Sequence, residues 1–217
     1  MSCIIVKVHW NRLYKHKAQY ITTQFHIGQM DSGYSTVQIL LAILLISRCK
    51  AARKWDYEPI LISATSSDDS LIKLEPNIVR LGRGQYGLSA RVEWNYDVTE
   101  ETMVDAIVYR SSTGDESDYK LLPYSVPKQS FYDYMNTFYK DVVMKNFANC
   151  SNVPQFEGEF QPPWPKQTYI GDKCTVAGDG LPDMVPQGFY KIIFNCTGPD
   201  QPSWSLIAVF KIINKMF

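Results

Sequence analysis

The body of this 217-residue chain has no histidine: His9, His16 and His26 all fall within the first 26 residues. Ser-His and Cys-His nucleophile pairs are thereby excluded for the rest of the chain, and so are histidine metal sites. No two cysteines stand in CxxC spacing, which argues against a zinc site. No apolar run approaches the ~20 residues a spanning helix needs, so stable membrane insertion is not expected. Positive charge is not in excess either, since Lys+Arg and Asp+Glu number 22 each. Six basic residues and one acid precede Ala52, which leaves 16 against 21 beyond it, a net of −5. A nucleic-acid partner calls for a basic face, so none is expected. Nothing in the motifs below requires a cofactor or a metal. Hydrophobic residues, at 45%, are ample for a packed core.

The longest apolar run is Ile39–Ile46, eight residues. That is the length of a signal-peptide core, and the small residues Cys49 and Ala51 follow where a signal peptidase would cut. Met30 lies just upstream as a candidate initiator, although Asp31, not a basic residue, separates it from the run. The expected organisation is therefore residues 1–29 as an upstream extension, 30–51 as a signal peptide and 52–217 as one secreted domain. The alternative is a buried hydrophobic strand or helix. Secretion places the chain in an oxidising, extracellular compartment. The mature chain would keep Cys150, Cys174 and Cys196, an odd number. Cys150 and Cys174 flank the Pro-rich segment 154–165, and a bridge between them would contribute ~3 kcal/mol by loop entropy. This is the preferred pair, with Cys196 free; Cys174–Cys196 is the competitor.

Residues 88–98 give the clearest structural signal. Leu88, Ala90, Val92, Trp94, Tyr96 and Val98 alternate with Ser89, Arg91, Glu93, Asn95 and Asp97, the period of a strand with one wet face. Trp204, Leu206, Ala208, Phe210 and Ile212 repeat the pattern, while Ile207, Val209 and Ile213 make their second face apolar as well. Strands are also predicted at 57–64, 71–75, 77–81, 103–110 and 190–194. One helix is predicted, over 130–147, with Ser130 and Asp133 as its N-terminal cap. Phe131, Tyr134, Met135, Phe138 and Val142 share a face at helical spacing. The fold class is thus mainly β, an antiparallel sheet or sandwich with one amphipathic helix laid on it.

Gly82-Arg83-Gly84-Gln85-Tyr86-Gly87 matches the dinucleotide fingerprint, but a strand and not a helix follows it, so a glycine-rich hairpin is expected. The acids Asp68-Asp69, Glu100-Glu101 and Asp115, Glu116 and Asp118 fall between predicted strands, where nothing positions them as a catalytic pair. Asn149-Cys150-Ser151 and Asn195-Cys196-Thr197 are glycosylation sequons. Aromatic residues are 13% of the chain. Trp94, Tyr96, Phe131, Tyr134, Met135, Phe138, Trp164 and Trp204 are the candidate ligand-binding set. They make either an ordinary aromatic core or the wall of a lipid cavity.

The stretch Trp164-Pro165-Lys166-Gln167-Thr168-Tyr169-Ile170-Gly171-Asp172-Lys173-Cys174 leads to Gly180-Leu181-Pro182-Asp183-Met184-Val185-Pro186. Gln187-Gly188-Phe189-Tyr190-Lys191 and a last strand 205–211 follow. This pattern resembles the C-terminal half of the ganglioside GM2-activator-like lipid-binding proteins, and within them the insect chemosensory protein B (CheB) group. Upstream, Leu74-Glu75-Pro76 before a strand and an aromatic helix ending at Cys150 stand in the same order. The resemblance spans roughly 57–213. It implies a β-cup that carries a lipid or a long-chain apolar semiochemical, acting in gustatory or pheromone perception with a chemosensory receptor or channel as partner. The activator proteins use several disulfides, which three mature cysteines cannot reproduce. The expected function is a secreted binding protein without catalytic residues. The alternatives are an accessory protein presenting lipid to an enzyme or receptor, and a carboxylate-based hydrolase.

Overall fold

Alternating apolar residues and two well-placed prolines divide the strands between two sheets. The computed structural model of the chain describes residues 53–215; the extension and signal peptide read at 1–51 lie outside the described residues. Nine strands form, β1 Trp55–Ser66, β2 Ile72–Gly82, β3 Gln85–Trp94, β4 Met103–Ser111, β5 Lys120–Leu121, β6 Val126–Ser130, β7 Gln167–Cys174, β8 Gly188–Thr197 and β9 Trp204–Asn214. The larger sheet has the order β1-β9-β8-β4-β5, with β6 also paired to β4; the smaller has the order β2-β3-β7. Every pairing is antiparallel. The fold is mainly β with one helix, as the sequence pattern requires.

Pro59 in β1 and Pro76 in β2 cannot donate to a ladder, and both stand on edge strands, where that loss is tolerated. The two edges lie side by side without pairing. Pro76 does not split the segment into strands at 71–75 and 77–81 as expected: β2 runs through it, with Pro76 opposite Ala90. The alternation at 88–98 also outlasts its strand. β3 ends at Trp94, yet Tyr96 and Val98 still point inward and are buried.

The glycine-rich motif is the turn joining β2 and β3, with Gly84 at φ 70° where a side chain would be strained. β3 follows it directly, so the helix a pyrophosphate site needs is missing.

The helix, α1, begins with an α turn, Phe131–Tyr134, continues as a π-helix, Met135–Met144, and closes with a turn, Lys145–Phe147. Ser130 caps it, accepting from the Asp133 amide at 3.0 Å and donating to the Asp133 carboxylate at 2.8 Å. The wider π turn changes which side chains share a face. Phe131, Met135 and Tyr139, spaced by four, are buried, whereas Phe138 is 40% exposed. The expected face with Phe138 is corrected accordingly. Cys150, just past the helix, is bonded to Cys174 at the end of β7, and Cys196 is free and buried. The bridge ties the helix to the smaller sheet.

Segment 175–187 is anchored at both ends of its span. Asn146 donates to the Asp179 carbonyl at 2.8 Å and accepts from the Gly178 amide at 2.8 Å. At the other side Leu181 and Val185 pack on Trp55, Tyr190 and Ile212. Gly180, at φ 77°, passes so close to the Asp141 carbonyl that a Cβ would sit 2.1 Å from it.

Candidate ligand-binding site

Register fixes which side of each strand looks into the space between the sheets. Ile72 of β2 pairs with Trp94 of β3, and Val104 of β4 pairs with Cys196 of β8, which pairs with Trp204 of β9. All five join one core cluster, so these side chains mark the inner phase of both sheets. Phe131, Met135 and Tyr139 from α1, and Phe160 and Trp164 from the Pro-rich segment, complete that cluster.

Seven of the eight expected ligand-binding residues meet there: Trp94, Tyr96, Phe131, Tyr134, Met135, Trp164 and Trp204. Their rings touch directly. Trp94 stacks on Tyr96 at 4.8 Å and meets Trp204 at 5.7 Å and Trp164 at 6.0 Å, edge to face. Phe131 meets Trp164 at 5.7 Å, and Tyr134 meets Phe194 at 5.4 Å. Such pairs are favourable packing geometry. At this end of the molecule, aromatic side chains fill the space between the sheets with one another. Phe138, the eighth, lies outside it.

Polar atoms within this end are partly satisfied. The Trp94 indole donates to the Tyr96 carbonyl at 3.1 Å, and the Tyr139 hydroxyl to the Pro154 carbonyl at 2.7 Å. The Cys196 sulfur lies 3.7 Å from the Tyr96 hydroxyl, and burial pushes its pKa up to about 11. The Trp164 indole N–H is buried with no acceptor among the described residues.

Farther along the strands the inner phase stays apolar as far as Arg80 of β2 and Arg110 of β4 but is no longer sealed. A second buried cluster, Trp55, Tyr190 and Ile212, forms under segment 175–187 and is separate from the first. Between the two lie Ile62, Ile192, Leu206 and Phe210 on the larger sheet and Ile78 and Leu88 on the smaller. Each is at the inner phase, each is half-buried, and none belongs to either cluster. An open depression of about 270 Å³ lies between the end of β1 and the start of β2, lined by Ala64, Thr65, Ser66, Asp69, Lys73 and Leu74. Ala64 and Leu74 are inner-phase residues, so this depression opens at the seam between the sheets.

Acids of the loop clusters are taken up by hydroxyls, amides and one lysine, Glu116 pairing with Lys191 of β8. Asp68 accepts from the amide and hydroxyl of Ser70 in the β1–β2 turn, and those bonds lower its pKa. Asp118 accepts from the hydroxyls of Ser112 and Ser111 and the amides of Ser112 and Thr113, which holds its carboxyl well below the usual range. Among the described residues no three His, Cys, Asp or Glu side chains are grouped to hold a metal, and no helix is long and apolar enough to cross a membrane.

The expected ligand-binding set, chosen for its aromatic rings, falls, apart from Phe138, at the filled end and holds none of the half-buried strip. The signal was present: Leu206 and Phe210 keep the phase of Trp204, Leu88 that of Trp94, and Ile78 that of Ile72.

A family model described as "Protein of unknown function (DUF1091)" matches residues 104–192. The chain is similar to that family from β4 into β8, a stretch that holds the helix, the disulfide and segment 175–187. No curated protein matches the chain.

Proposed function

We propose that this chain is a secreted carrier that holds one long apolar chain between its two sheets. The observation that carries the reading is the half-buried apolar strip between two separate core clusters. Apolar side chains left partly wet on facing sheets gain ~25 cal/mol for each Å² a guest covers. The aromatic cluster is the floor of the cup in this reading, and Ile62, Ile192, Leu206, Phe210, Ile78 and Leu88 are its walls. Secretion is supported by the disulfide, which persists in oxidising compartments, and by the apolar run at 39–46. The likeness to GM2-activator-like proteins and the CheB group supports a lipid or long-chain semiochemical as the guest and chemosensory tissue as the setting. No catalytic role is assigned to any residue.

The test is native mass spectrometry of the full chain exposed to methyl palmitate and hexadecanol. A one-to-one adduct is expected, and Leu206→Trp, which fills the strip, should abolish it while circular dichroism stays unchanged. Protein that takes up neither compound would sink the reading.

A second reading, presentation of the guest to an enzyme or receptor, draws on Leu81 and Met184. Both are exposed, Met184 by 70%, on the β2–β3 hairpin and segment 175–187. If these two side chains belong to one apolar patch, that patch suits contact with a partner.

A further inference from the structure

The inner phase of the sheets is selective in charge. On β1 to β4, β8 and β9, only two charged side chains occupy that phase, Arg80 of β2 and Arg110 of β4. The strand acids Glu58, Glu75, Glu93 and Asp105 all take the opposite phase. Lys120, on the short strand β5, stands directly opposite Arg110 and shares its side of the sheet. No strand carboxylate accompanies these cations.

Both arginines lie at one end of the strip. Arg110 is beyond Val104 on its strand and Arg80 beyond Ile72, so each is displaced from the aromatic floor in the direction of the unsealed region. Arg110 pairs in register with Tyr190, and Tyr190 with Phe210 of the strip. One amino group of Arg110 donates to the Gln187 carbonyl at 2.7 Å. Its Nε is buried with no acceptor among the described residues. A buried N–H without a partner is costly. An anionic oxygen at this place would satisfy it with a charge-assisted bond. Arg80 is exposed and free to turn, with only its Nε engaged, on the Gly82 carbonyl at 3.2 Å.

We propose that the guest is an amphiphile with an anionic head, a carboxylate, sulfate or phosphate, held by Arg110 with Arg80 while its tail lies along the apolar strip. The proposal rests on the carrier reading above and narrows it: a neutral hydrocarbon would leave the Arg110 donor unmet. Guanidinium groups suit such heads because their donors match the spacing of two anionic oxygens.

The experiment is titration calorimetry of the full chain with palmitate, methyl palmitate, hexadecyltrimethylammonium and inorganic phosphate, each below micelle formation. Palmitate should bind about tenfold more tightly than its methyl ester, the ammonium compound more weakly than the ester, and inorganic phosphate not measurably. Arg110→Gln should erase the difference between acid and ester and leave the ester unchanged. Arg80→Gln, at an exposed side chain, should weaken palmitate alone and carries the test if Arg110→Gln does not fold. Equal affinity for acid and ester overturns the head-group proposal and leaves the carrier reading intact. Phosphate binding as tight as palmitate also overturns it, by removing the tail from recognition. Binding of none of the four overturns both.

Discussion

Trp204 donates its indole N–H to the Tyr96 hydroxyl across 3.0 Å. The bond joins β9 to the segment beyond β3, and so links the two sheets at the aromatic floor. Removing the acceptor strands a donor in a largely apolar setting. Tyr96→Phe should therefore destabilise the protein by about 1–3 kcal/mol, read as a lower urea midpoint with an unchanged slope. A midpoint equal to that of the parent would mean water satisfies Trp204 and the link is not structural.

The same floor makes stability sensitive to alkali. Burial raises the Cys196 thiol from 9.0 to about 11 and raises Tyr134 and Tyr139 above the ordinary phenol. Above pH 9.0 the unfolded thiol loses its proton while the native one keeps it, so the unfolded state binds fewer protons and stability declines as pH rises. The contribution is complete below pH 9.0 and is lost as pH climbs through about 11. Urea titrations across that window should show the decline, and Cys196→Ala should make it shallower. At neutral pH the native thiol should resist iodoacetamide and react only after denaturation.

The π turn yields a clear contrast between neighbours. Tyr139→Ala removes a buried ring that meets Trp164 at 5.6 Å and should cost about 3–5 kcal/mol. Phe138→Ala trims a side chain that is 40% exposed and should cost less than about 1 kcal/mol. Thermal denaturation of the two variants ranks them. The reverse order would restore the ordinary helical face.

The two sequons sit in different surroundings. Asn149 is exposed in the turn after α1, whereas Asn195 lies in β8 and donates to the Asp105 carboxylate at 2.9 Å. If the chain passes through a secretory pathway, a glycosidase-sensitive mobility shift should vanish with Asn149→Gln and persist with Asn195→Gln. Persistence of the shift in the first variant would contradict this.

Strand content was readable because burial on one face imprints period two, as in Leu88 to Trp94 and Trp204 to Ile212. The disulfide was readable because Cys150 and Cys174 bracket the only Pro-rich excursion. Two features hid. Nothing in residues 135–144 announces i→i+5 bonding, so Phe138 took the place of Tyr139 in the expected face. Pro76 read as a break because sequence does not say whether a strand is central or at an edge. The candidate site was half legible for a related reason. Phase identifies inward residues, but only the spacing of the two core clusters reveals which of them stay partly wet.

Pro59 lies in β1 and Pro76 in β2, the adjoining edge strands of the two sheets, between which no ladder forms. Parting the two sheets along those edges would rupture no ladder between strands, because none joins β1 to β2.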